Sequence, residues 1–522
     1  LRAARSPRAP DRRDRHARLE DGHTGADLEA LAAQTPEWQP QEPQAEQAEA
    51  EPHEPDGNKP RPVLVEHFEP RDLAGVIATF RKYLWMPDTA PLELALGAVL
   101  ANRGPGDPVW LLLVAPPGSG KTEIITALDA APDIRIVGAL TEGSLLSGTA
   151  RKERAANAKG GLLREIGDYG ILAPKDFGSV IAMNRDSRAA LLQALREVYD
   201  GRWERAVGTD GGKTLSWTGK CGLIGGSTPA IDAAHEVIAT LGERFTFVRM
   251  GNVDRSKLAA SAIGHSGRES EMRAELRAAV GGLLESAQSP AVAPEMNAAE
   301  IQRLIALADF ATMARAPVMR DSYRRDLIDV LGPEAPTRIS VVMRLLFGGL
   351  LAIGVSRERA WELIARVAID SVPLGRRNAL AALVEADRQT TQAVATRLGV
   401  PTVTVRRALE DLGSYRVVDR DTSGNADVWS LTSWTLRTLT AAGFSEIPAY
   451  MYSVDAATAP LKNPETPRDG ISGKRESSSS ALDDKSVCYI CSGCGKNLVR
   501  HPDELCPSCR RDVENGKEGW DA

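Results

Sequence analysis

The chain has 522 residues, 43% hydrophobic and 26% charged, the composition of a globular protein with room for two or three domains. Its net charge of −6 excludes a uniformly basic nucleic-acid coat, so any such surface has to be a local patch. No apolar run reaches transmembrane length, and the Arg-rich start lacks a signal-peptide core, so a cytoplasmic protein with no membrane partner is expected.

Residues 1–60 are rich in Arg, Pro, Gln and Glu, as in EWQPQEPQAEQAEAEPHEPDG, and are too poor in apolar side chains to fold. Residues 61–104 carry two helical patterns, PRDLAGVIATFRKYL and APLELALGAVLANR, as a lead-in. PVWLLLV then reads as a buried strand and IRIVGAL as a second one.

Between those strands runs VAPPGSGKT, Val114–Thr122, with the helix EIITAL after it. Gly118 and Gly120, with Pro117 and Ser119 between and before them, let backbone N–H groups turn toward a phosphate. Lys121 is placed to reach the β and γ phosphates of ATP, and Thr122 to offer its hydroxyl to Mg²⁺. Ala115 stands where the first glycine of such loops usually is.

About fifty residues on, Ile171-Leu172-Ala173 is a strand that runs through Pro174 into Lys175-Asp176, where a nucleotide hydrolase ordinarily ends in Asp-Glu. Asp176 is the expected catalytic carboxylate, with Glu165 and Asp168 as alternatives should the register shift. RDSRAALLQALREVYDG is an amphipathic helix, and KCGLIGGSTP is a buried strand with Cys221 in its core. Residues 105–255 thus form an α/β core with a mostly parallel sheet and flanking helices, and 256–375 an all-helical lid.

Residues 376–440 resemble a winged helix-turn-helix. TQAVATRLGV supplies the first helix and the Gly399 turn, and PTVTVRRALEDLG the second helix, with Val403, Leu409 and Leu412 facing inward. Thr402, Thr404, Arg406 and Arg407 remain to face a DNA groove. A polar linker over 441–485 follows, then a small cysteine-rich module over 486–512. Cys491, Cys494, Cys506 and Cys509 make two C-x₂-C pairs suited to a tetrahedral Zn²⁺ site, with Cys488 and His501 as spare ligands.

From the glycine loop onward the order of segments resembles the AAA+ ATPases, most closely the minichromosome-maintenance helicases, and more weakly the replication ATPases of phages and plasmids. The resemblance implies a homo-oligomeric ring that moves on DNA. It implies a pre-sensor hairpin in VGTDGGKTLSWTGK with Lys213 at its tip, and a sensor-1 residue at Thr228 in GLIGGSTP. It also implies an arginine finger at Arg244 in LGERF and a sensor-2 arginine at Arg338 in EAPTRISVVMRLL. Two rival functions are an ATP-regulated DNA-binding protein without helicase activity and a catalytically inactive scaffold.

Overall fold

The computed structural model describes residues 67–148, 160–208, 212–235, 244–251, 254–289, 294–321 and 323–444, and two short strands at 489–490 and 498–499. The chain divides into two units, Leu1–His67 and Phe68–Ala522, and all the described helices and strands lie in the second. The segment expected to be disordered, the polar linker from residue 445 onward, and Cys488, Cys491, Cys494, His501, Cys506 and Cys509 lie outside the described residues.

Helix α1 (Leu73–Tyr83) starts at Asp72, whose carboxylate accepts the Gly75 N–H at 2.8 Å. Helix α2 (Ala90–Arg103) has Pro91 in its first turn, where a missing N–H costs no hydrogen bond, and is buried along nearly its whole length. Its buried Asn102 donates to the carbonyls of Ala98 and Val109 at 2.9 Å and accepts the Val109 N–H at 2.8 Å. These bonds satisfy the amide and fasten the end of α2 to the start of the first strand.

The strands are β1 (Trp110–Val114), β2 (Ile134–Val137), β3 (Tyr169–Pro174), β4 (Arg202–Val207), β5 (Lys213–Thr218), β6 (Lys220–Ser227) and β7 (Phe245–Arg249). Helix α3 (Lys121–Ala127) follows β1, and α4 (Arg185–Tyr199) precedes β4. Five of these strands form one all-parallel sheet in the order β2-β3-β6-β1-β7, while β4 and β5 pair antiparallel as a separate hairpin.

The continuous apolar run of β1 has a simple cause: both faces of the sheet are covered. Leu111 and Leu113 enter one core, with Ile171, Ala173, Ile224 and Val248 from neighbouring strands, under α1, α2 and α3. Trp110, Leu112 and Val114 enter the other, with Leu172, Leu223, Phe245 and Phe247, under α4 and the β4–β5 hairpin. Each fully buried Leu contributes about 1.5–3 kcal/mol, so both cores are large relative to net stability.

The next part is mostly helical: α5 (Arg255–Gly264), α6 (Glu269–Ser286), α7 (Ala298–Arg315), α8 (Thr337–Ala352) and α9 (Arg357–Asp370). The all-helical expectation for 256–375 needs correction, because strands β8 (Val318–Arg320) and β9 (Leu327–Val330) form an exposed antiparallel hairpin between α7 and α8. Helix α8 crosses α2 at backbone contact: a Cβ placed on Gly349 would lie 2.0 Å from the Gly97 carbonyl oxygen.

The last described unit comprises α10 (Leu374–Glu385), α11 (Thr391–Leu398), α12 (Thr402–Ser414) and α13 (Ser433–Ala441). Its sheet has the order β10-β12-β11, from β10 (Gln389–Thr390), β11 (Val418–Asp421) and β12 (Val428–Leu431). Val405, Leu409, Leu412, Val418 and Trp429 share its core. Val403, expected inward, is 57% exposed; the helix phase buries Val405 in its place. Near the C-terminus, β13 (Tyr489–Ile490) pairs antiparallel with β14 (Leu498–Val499).

Candidate functional site

The glycine loop leaves the C-terminal end of β1 and ends on α3. Gly118 and Gly120 take φ values of +80° and +83°, a left-handed region that a side chain would strain, so the two positions require glycine. Ser119 Oγ donates back to the Pro116 carbonyl at 2.8 Å and braces the turn, while Pro117 and Gly118 stay exposed. The loop therefore presents backbone N–H groups and a helix N-terminus to one open space, a geometry compatible with a P-loop-like core.

Lys121 lies at the first position of α3 and is buried, and its ammonium makes one long contact, 3.4 Å to the Pro116 carbonyl. Burial lowers its pKa and the charge of Asp176 opposes that, which places Asp176 within electrostatic range. Thr122 is exposed beside it.

Sheet order explains the meeting. Strand β6 lies between β1 and β3, so three adjacent strands deliver the loop, Thr228 and Asp176 to one edge of the sheet. Asp176 is exposed just past β3, and its carboxylate accepts the Gly178 N–H at 2.8 Å. Thr228 is half-buried just past β6. Lys175 is exposed, and its N–H donates to Val137 at 3.1 Å. Glu165 and Asp168 precede β3, whose six residues separate them from the loop edge by roughly 16 Å. Glu165 instead pairs with Arg135 at 3.4 Å.

The two candidate arginines sit at the other end. Phe245 pairs with Trp110, the first residue of β1, so Arg244 lies about 13 Å of strand away from its own glycine loop. It is buried, with hydrogen bonds of 3.0 and 2.9 Å to Asp200 and its guanidinium 5.2 Å from the Tyr199 ring. Arg338, in the first turn of α8, pairs with Glu334 at 2.5 Å. Burial and then Asp107 push the Tyr199 phenol up in pKa, opposed by Arg338 and Arg244, so both arginines share that pole.

Lys213 opens β5 opposite Val207 and is exposed; the neighbouring residues 209–211 lie outside the described ones. On α12, Thr404 and Arg406 are exposed and Arg407 half-buried, while Thr402 donates to Gln392 Oε1 at 2.9 Å. Cys221 is buried in the sheet, and burial pushes its thiol up to about 12. Among the described residues no group of three or more His, Cys, Asp or Glu could hold a metal ion.

Sequence reasoning missed the cleft that completes the site. A cavity of about 410 Å³ opens beside Gly118–Thr122, walled by Trp85, Met250, Leu258, His265 and Met272. Its size and apolar walls suit a planar organic group next to the phosphate-compatible loop. Trp85 is 39% exposed, with the Lys257 ammonium 4.7 Å from its ring. These residues come from separate segments, and no spacing in the chain announces them.

Fold and site define a mixed α/β protein with an all-parallel sheet flanked by helices and a glycine loop at its edge. No protein-family model matches the chain, and no curated protein matches it. Among solved structures it is similar to the apo structure of the NrS-1 C terminal region, at 13% identity and a TM-score of 0.27, covering 72% of this chain and 79% of that one. It is also similar to the A form apo structure of that region, at 11% identity and a TM-score of 0.25, covering 71% and 78%. Scores this low carry no functional assignment. Among the described residues no helix is long and apolar enough to cross a membrane.

Proposed function

We propose that the chain is an ATP-binding and ATP-hydrolysing DNA helicase or translocase of the AAA+ type, acting in the replication of a mobile element. One observation carries this reading: Lys121, Thr228 and Asp176 converge on one sheet edge, beside a cleft fit for a nucleobase. The open glycine turn and the sparsely bonded Lys121 ammonium fit a bound triphosphate. Thr122 would hold Mg²⁺, which supplies charge neutralisation at the phosphates. Asp176 orients the attacking water, and Thr228, on the strand between, reaches the same space. Arg244 and Arg338 lie at the pole of the sheet opposite their own loop, so they serve a neighbouring copy in a ring. Residues 376–440 act as a winged helix with Thr402, Thr404, Arg406 and Arg407 on DNA, and Lys213 acts on DNA through the β4–β5 hairpin. Cys491, Cys494, Cys506 and Cys509 hold Zn²⁺.

The deciding experiment is ATP turnover and duplex separation, each with and without single-stranded DNA. Turnover stimulated by DNA, with strand separation, is expected. A second reading, an ATP-regulated DNA binder without unwinding, is favoured by Arg244, which Asp200 already engages. Nucleotide-dependent DNA binding without turnover would select it.

A further inference from the structure

The β8–β9 hairpin is built to hold a fixed shape. The Asp321 carboxylate accepts the N–H groups of Tyr323 and Arg324 at 2.9 and 2.6 Å, and Arg325 closes the turn with a φ of +62°. At the base, the buried Arg320 guanidinium donates to Asp411 at 2.5 Å, to Glu410 at 3.3 Å and to the Arg407 carbonyl at 3.2 Å. Arg376 of α10 takes the other Asp411 oxygen at 3.2 Å. Hairpin and α12 are therefore braced as one piece.

Between them lies a cavity of about 620 Å³, bordered by Arg324, Arg325, Arg406, Arg407 and Arg420. Two nearby charges are already engaged: Arg420 with Asp427 at 2.6 Å, and Glu410 with Arg320. Asp326 and Asp419 remain at the rim against Arg324, Arg325, Arg406 and Arg407, none of which forms an ion pair with the described residues. Four guanidinium groups held around one groove, in a chain of net charge −6, are a local field for a polyanion. Planar guanidinium forks match phosphate oxygens, and Tyr323, 93% exposed at the tip, adds a flat face for sugar or base.

We propose that the β8–β9 hairpin is a second DNA-contacting arm, in which Arg324 and Arg325 grip phosphates of the same duplex that α12 meets through Arg406 and Arg407. This rests on the DNA-binding reading of α12, and the test separates the two. Binding of the full chain to a labelled 30-base-pair duplex (a probe length of about three helical turns) is followed by anisotropy across a salt series. Arg324→Ala with Arg325→Ala should weaken binding about tenfold and flatten the log–log salt slope by about 2, two phosphate contacts' worth. Arg324→Lys with Arg325→Lys should keep most of that slope. Both side chains are exposed, so an unchanged thermal melt serves as the folding control. If the Ala pair leaves the slope unchanged while Arg406→Ala with Arg407→Ala lowers it, the arm is overturned and the α12 reading stands. If only the hairpin pair lowers it, the arm stands and the α12 reading falls. A hairpin variant that changes the sedimenting size of the protein but not duplex affinity makes the tip a subunit contact and overturns the proposal, as does a parent that binds no duplex.

Discussion

The carboxylate of Asp88, in the wall of the cleft beside the glycine loop, receives two hydrogen bonds from Arg366 on α9, at 2.9 and 2.7 Å. Arg366 also donates to the Arg249 carbonyl at 2.6 Å and to Asp370 at 3.2 Å, and Asp370 accepts from Arg377 of α10 at 2.5 Å. A chain of charges, buried at Arg366, Asp370 and Arg377 and half-exposed at Asp88, thus joins the cleft to the helix that begins the C-terminal unit. Removing Arg366 takes a buried cation from beside Asp370, which keeps Arg377 and the Arg249 N–H as partners but loses part of its charge balance. Arg366→Ala should cost about 3–5 kcal/mol in urea unfolding and weaken nucleotide binding with it. A loss under about 1 kcal/mol would mean that the chain of charges is not cooperative.

Lys121→Ala should abolish nucleotide binding, measured by calorimetry, because it removes the cation at the start of α3. Asp176→Asn should keep binding within severalfold of the parent and lower turnover by about a hundredfold or more, the usual scale for a lost catalytic group. Normal turnover in the second variant would move the catalytic carboxylate elsewhere. Trp85→Ala should weaken binding while sparing turnover at saturating ATP, because it lines the cleft away from Asp176.

Arg244 and Lys121 lie at opposite ends of β1, so one copy cannot join them in one site. An inactive Arg244→Ala protein mixed with an inactive Lys121→Ala protein should therefore regain part of its ATP turnover. No rescue in a mixture shown to co-assemble would sink the role in trans. The Asp200→Asn variant, which loosens the intramolecular hold on Arg244, should not lower turnover if Arg244 acts on a neighbour.

What can be read along the chain is local. The apolar run of β1, the glycines after it and Lys121 are consecutive, so their geometry follows from neighbours in sequence. The position of Arg244 depends on the parallel register of Phe245 on Trp110, a pairing between segments far apart. Trp85 and His265 meet only because α5 folds over the loop after α1. The β8–β9 hairpin is hidden for a different reason. Its turn has no glycine or asparagine; the Asp321 side chain and a left-handed Arg325 shape it instead, so the usual turn signal is missing. Val403 differs from its expected inward position by two residues of helix phase, with Val405 buried instead.

Lys220, at the start of β6, has its pKa lowered to about 8, because burial disfavours the ammonium and Asp107 only partly opposes it. Its Nζ donates to the Gly104 carbonyl at 2.7 Å. Between that value and the unfolded value of about 10.4, the unfolded chain holds the proton and the folded chain has released it, so stability rises with pH across the window. Below the folded value the cost is fully present. Lys220→Met should remove this rise, by roughly 2 kcal/mol between pH 7.5 and 10.5 after allowing for partial exposure. Urea unfolding of both proteins at those pH values checks it; parallel profiles would remove Lys220 as the source.

Gly349 on α8 and Gly97 on α2 leave no side chain between two backbones, and that has a mechanical consequence. Helices in such contact behave as one girder: neither can roll or slide without a steric clash. Arg338, carried on the first turn of α8, is thereby indexed to α2 and, through Asn102, to the root of β1. Any movement of one helix would turn this girder as a whole, and bending would have to be taken up in the segments that join it to its neighbours. A displacement of α2 would therefore carry Arg338 with it while the crossing of the two helices stays fixed.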